Sequence, residues 1–237
     1  MKRLFNILPY LLLLFILYPS LCLPNPCSQS LIKAMKEEGL TDQQINLICK
    51  KAELYEEIYS AESADPYSKA YSLFEQEKYE DVIAELEPFC QDNPNQVKEK
   101  ILLAKAYLEE CDKLKAAGDD RYKDLVMKSY YIGKSLIAEN PYVPDVLYIC
   151  ARSFLINNRS GRAYKYIKKA IKISVNAPAE YYITLGDARV KRASNESNEM
   201  ISDNIIGDAK KAYETALSKA NKKSLKDQIQ VKLAALK

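Results

Sequence analysis

The chain has 237 residues, 48% of them apolar and 28% charged, the composition of a globular protein and not of a disordered one. Only 6 glycines, no tryptophan and an abundance of Ala, Leu, Lys and Glu exclude a Gly-looped nucleotide-binding fold and favour an all-α one. The 35 basic residues include Lys2 and Arg3; without these two, 33 basic face 32 acidic, too even a balance for tracking a nucleic-acid backbone.

Lys2 and Arg3, the unbroken apolar run Leu11 to Tyr18 and the break at Pro19 form an export signal over residues 1–22. Ser20 and Cys22 flank a cleavage after Cys22. Two alternatives stay open: an uncleaved anchor, since no charge occurs from Leu4 through Ile32, and a lipoprotein signal that acylates Cys22, against which bulky Leu21 counts. The protein is thus expected to be exported, to the periplasm or cell envelope or into the medium, with an N-terminal membrane tether under either alternative. Pro24 and Pro26 hold residues 23–27 extended. Leu31, Ile32 and Met35 give a short helix one apolar face, Gly39 stops it, and Thr41 with Gln44 makes a capping box. The helix that follows carries Ile45, Ile48, Ala52, Tyr55 and Tyr59, so residues 28–62 form a hairpin that needs a neighbour.

From residue 65 onward pairs of amphipathic helices recur, at 65–95, 96–142, 143–177 and 178–223, closed by a capping helix at 224–237. Asp65 before Pro66 caps the first pair, and Pro88 should kink or break its second helix. In the second pair Leu103, Ala104 and Tyr107 keep register, and residues 111–122 lengthen the first helix. The third pair is the most regular, with Leu147, Cys150, Ala151, Phe154, Ala163, Ile167 and Ala170 alternating bulky and small, Ser160 as N-cap and Gly161 in the turn. The fourth sets Leu185 beside Gly186 and resumes at Ala209, Tyr213 and Ala216, after an insertion whose polar stretch 193–199 should be an exposed, mobile loop.

This spacing resembles the tetratricopeptide repeat (TPR) family, most closely in the third pair; Lys78 to Ile83 and the repeat-ending Pro94 are similar too. The resemblance implies an α-solenoid of about four hairpins whose first helices line a concave face that holds a protein or peptide. Transferred onto this sequence, the lining is Tyr67, Tyr71, Phe74 and Glu75, then Lys98, Ile101, Lys105 and Leu108, then Asp145, Tyr148, Arg152 and Leu155, then Ile183, Asp187 and Val190. Tyr67, Tyr71, Lys98, Lys105, Tyr148, Arg152 and Asp187 are the candidate partner contacts, with Arg152 and Lys105 placed to take carboxylates. The implied role is a non-catalytic scaffold or adaptor. The alternative is a subunit of a membrane-associated envelope assembly or solute-uptake system, tethered through Cys22 or an uncleaved N-terminus.

No histidine occurs and no two of the six cysteines are spaced CxxC, so no metal, cofactor or catalytic residue is expected. The consecutive acids Glu37 and Glu38, Glu109 and Glu110, and Asp119 and Asp120 diverge by about 100° on a helix and do not converge on a substrate. Cys90, Cys111 and Cys150 fall on buried faces, whereas Cys27 and Cys49 flank one hairpin and suit a disulfide in an exported chain. Charge is uneven: residues 53–87 carry eleven acids against Lys69 and Lys78, and residues 205–237 carry eight lysines against Asp208, Glu214 and Asp227. Solvated outer faces account for this; docking of the two ends in a salt-sensitive self-association is the other reading.

Overall fold

The chain divides into two compact units, Met1–Glu56 and Glu57–Lys237. The computed structural model describes residues 29–37, 39–46, 48–50 and 66–236. In the first unit helix α1 (Gln29–Glu37) ends where Gly39 takes φ +83°. The Gly39 N–H donates to Lys36 O and the Leu40 N–H to Met35 O, the paired closure that a left-handed residue allows. Helical residues 42–46 and 48–50 follow a capping box: Thr41 N–H donates to Gln44 Oε1 at 2.9 Å and Gln44 N–H to Thr41 Oγ1 at 3.4 Å. Cys49 is disulfide-bonded. Its expected partner Cys27 lies outside the described residues, as do the export signal, Cys22, Tyr55, Tyr59 and Asp65.

In the second unit all regular structure among the described residues is helical. Its hairpins are α2 (Pro66–Glu75) with α3 (Tyr79–Asp92), α4 (Val97–Ala116) with α5 (Tyr122–Glu139), α6 (Pro144–Ile156) with α7 (Ser160–Ile173), and α8 (Ala179–Ala193) with α9 (Glu199–Lys219). Helix α10 (Lys223–Ala234) docks on the last. Each helix packs on the next in sequence, and successive first helices also touch. The stack is therefore an all-α solenoid. None of the described helices is long and apolar enough to cross a membrane.

Three first helices end alike. Glu77 (φ +60°), Gly118 (φ +74°) and Asn158 (φ +59°) each take the left-handed conformation, and the next residue's N–H reaches back to Leu73, Leu114 and Phe154 O respectively. This corrects the expected turn of the third hairpin. Asn158 supplies the left-handed residue, Gly161 lies inside α7, and Ser160 opens that helix behind Arg159, which makes no side-chain cap. Pro88 does not break α3, because it lies on the exposed side, where water can take up the carbonyl its missing N–H leaves unmatched. The polar stretch of the fourth hairpin is non-helical and exposed at residues 194–198, as expected, and the rest of the insertion is helix: Asn198 Oδ1 accepts from Ile201 N–H and starts α9, with Met200 and Ile201 exposed.

Packing follows the small residues. Ala104, Ala151, Ala163, Ala170, Ala209 and Ala216 are wholly buried, and Leu103, Tyr107, Leu147, Phe154, Ile167 and Tyr213 fill the spaces between them. Gly186 is buried too, but Leu185 is half-buried and its neighbour Thr184 takes the inward place. A Cβ on Gly186 would stand 2.4 Å from the Tyr213 ring, and one on Gly133 3.0 Å from Ile149 Cγ2, so both glycines set how closely helices approach. Cys90, Cys111 and Cys150 are free and buried; burial pushes their thiols up to about 11, 11 and 12.

A candidate partner-binding groove

Helices α2, α4, α6, α8 and α10 surround a groove made of two adjoining cavities of about 700 and 740 Å³. Their shared middle is Glu109, Asp112, Ala116, Glu180, Leu225 and Gln228. The wall curves enough for its ends to meet, since Lys222 before α10 pairs with Glu75 at the end of α2 at 3.2 Å. At the α2 end the lining is aromatic: Tyr67 and Tyr71 stack with centroids 5.9 Å apart, Lys98 Nζ sits 3.9 Å above the Tyr67 ring, and Phe74 tilts against Tyr79. At the other end Leu155, Ile156, Ile183, Val190 and Leu236 make an aliphatic lobe.

Between the lobes, charged side chains tie one repeat to the next. Lys105 on α4 meets Asp145 on α6 at 2.7 Å, and Tyr181 on α8 donates its hydroxyl to the same carboxylate at 2.8 Å. Burial alone would raise the Asp145 carboxyl, but Lys105 and the Tyr181 hydrogen bond outweigh it and hold the group below the usual range. Arg152 on α6 donates to Glu109 on α4 at 3.0 Å, to Asp112, and to the Tyr148 hydroxyl at 2.9 Å. Burial opposes its charge, yet Tyr148, Glu109 and Asp112 keep the guanidinium firmly protonated. Asp187 on α8 accepts from Tyr213 at 2.6 Å and from Lys232 on α10 at 2.7 Å. Tyr148 and Tyr181 stack at 4.8 Å, and burial, first among the causes, raises both hydroxyls, so both stay neutral, Tyr181 donating to Asp145 and Tyr148 accepting from Arg152.

The seven candidate contacts all face this groove: Tyr67, Tyr71, Lys98, Lys105 and Tyr148 line the cavity toward α2, Arg152 and Asp187 the one toward α8. Leu108, expected beside them, is fully buried in the core instead, because the long helix α4 is covered on more than one side. Arg152 and Lys105 are not open cations awaiting a partner's carboxylate; the chain supplies the carboxylates itself.

No family model matches the sequence, and no curated protein matches it. Among solved structures, a thermophilic TPR protein from Thermus thermophilus is similar, with 17% identity over 72% of this chain and 96% of that chain and a TM-score of 0.43. The fold is an α-solenoid of helical hairpins. Its repeat register was readable, but the partners of the groove's charges were not, since Glu109, Asp112, Tyr181, Lys222 and Lys232 stand 36 or more positions away from the groups they meet. Only the alternation of acids and bases on successive first helices hinted at the stitching.

Proposed function

We propose that this protein is an exported, non-catalytic scaffold that holds a peptide or protein partner in the groove of its solenoid. The groove itself carries the reading: a continuous, preformed concavity with an aromatic lobe at one end and an aliphatic lobe at the other. Because the charges between the lobes are matched within the chain, apolar side chains of the partner supply affinity and the charged belt supplies register. The disulfide at Cys49 supports an oxidising compartment. A photo-crosslinking residue in place of Tyr71 or Leu155, used in native envelopes, is expected to capture the same partner from both positions. Capture no greater than from a control on the outer face at Lys210 refutes the groove as the working surface. The envelope-assembly alternative differs in its N-terminus: an intact mass that retains residues 1–22, or that carries acyl chains on Cys22, selects it.

A further inference from the structure

Between Asp145 and Glu180 the sequence contains no acid and seven basic residues: Arg152, Arg159, Arg162, Lys165, Lys168, Lys169 and Lys172. Arg152 turns into the groove, but the others belong to α7 and the turn before it. At 100° per residue, Arg162, Lys165 and Lys168 fall within an arc of about 120°, opposite buried Ala163, Ile167 and Ala170, and they run about 9 Å along the helix. Elsewhere cations of the solenoid meet carboxylates: Lys69 with Glu85, Lys105 with Asp145, Lys128 with Glu87, Lys232 with Asp187. Among the described residues no carboxylate pairs with Arg159, Arg162, Lys165 or Lys168, all of them exposed. Aromatic rings support the stems of the row, with Phe154 under Arg162, Tyr164 under Lys168 and Tyr142 under Lys169.

We propose that this face of α7 rests on an anionic phospholipid bilayer. The face is the outer side of a single helix and neither cavity of the groove reaches it, while a plane of phosphates matches a row of charges at any rotation about the membrane normal. Half-buried Tyr164 and Tyr166, with apolar bodies and polar tips, flank the row at the level where headgroups would lie. The acids of the first hairpin, Glu77, Glu80 and Asp81 among them, lie two hairpins away along the chain from this row. The contact is separate from the groove and leaves it open to a partner.

Co-sedimentation of the full chain with phosphatidylglycerol-containing vesicles and with pure phosphatidylcholine vesicles tests this. The N-terminal stretch, with Lys2 and Arg3, is common to the parent and every variant, so the readout is the change in excess binding to the anionic vesicles. Each basic group at such a surface changes binding about 5-fold, so Arg162→Gln, Lys165→Gln and Lys168→Gln together should lower the excess roughly 100-fold, with unchanged helical circular dichroism. Raising the salt should do the same to the parent chain. A matched triple, Lys210→Gln, Lys223→Gln and Lys226→Gln, should leave it within a few-fold. No anionic excess, or an equal loss in both triples, overturns the proposal. So does capture by polyglutamate in place of vesicles, which would assign the face to an acidic protein.

Discussion

Replacing Gly186 with alanine isolates the close approach of α8 to α9. The added Cβ would stand 2.4, 2.7 and 2.8 Å from three atoms of the Tyr213 ring, which is 2% exposed and fixed at its far end by the 2.6 Å hydrogen bond to Asp187. The ring cannot yield without releasing that bond. Overpacking of this kind costs about 1 to 3 kcal/mol, and loss of a hydrogen bond to a carboxylate adds about 1.5 kcal/mol. Better helix propensity returns about 1 kcal/mol, leaving a net destabilisation of about 1.5 to 3.5 kcal/mol. Gly207→Ala is the control: it is the same chemical change in the same hairpin, on exposed α9 with nothing within 4 Å of the new Cβ, and it should stabilise by about 0.8 kcal/mol. Urea unfolding of both variants followed by circular dichroism measures the difference. Equal stability of the two would refute the packing of Tyr213 against Gly186.

Ala163→Leu or Ala170→Leu, each at a site with no exposed surface, should cost about 1 to 3 kcal/mol by the same denaturation assay. Asp145 has a depressed folded value, so its stabilisation is complete above its unfolded value of about 3.9 and is lost as the pH falls through the lower folded value. The stability gap between the parent and Asp145→Asn should therefore be constant near neutrality and close below about pH 4, as acid titrations of unfolding would show. The thiols of Cys90, Cys111 and Cys150, raised by burial to about 11, 11 and 12, should resist maleimide at neutral pH and label only when the solenoid unfolds, as mass spectrometry would record.

Helix content, the pairing of helices and the places of most small residues were legible in the sequence, because each depends on periodicity within about twenty residues and on side-chain size. Thr41 with Gln44 is a local capping signal of the same kind, and it forms as the spacing implies. Two departures arose where a local signal competed with its surroundings. Pro88 stays inside α3 because its side faces water, and Ser160 opens α7 while Asn158 bears the turn. The tertiary structure alone decided the electrostatics. Whether Arg152, Lys105 and Asp187 are open to a partner or already matched depends on curvature, which brings side chains from different repeats within 3 Å, and curvature is the sum of many small helix-to-helix rotations that no single stretch of sequence encodes.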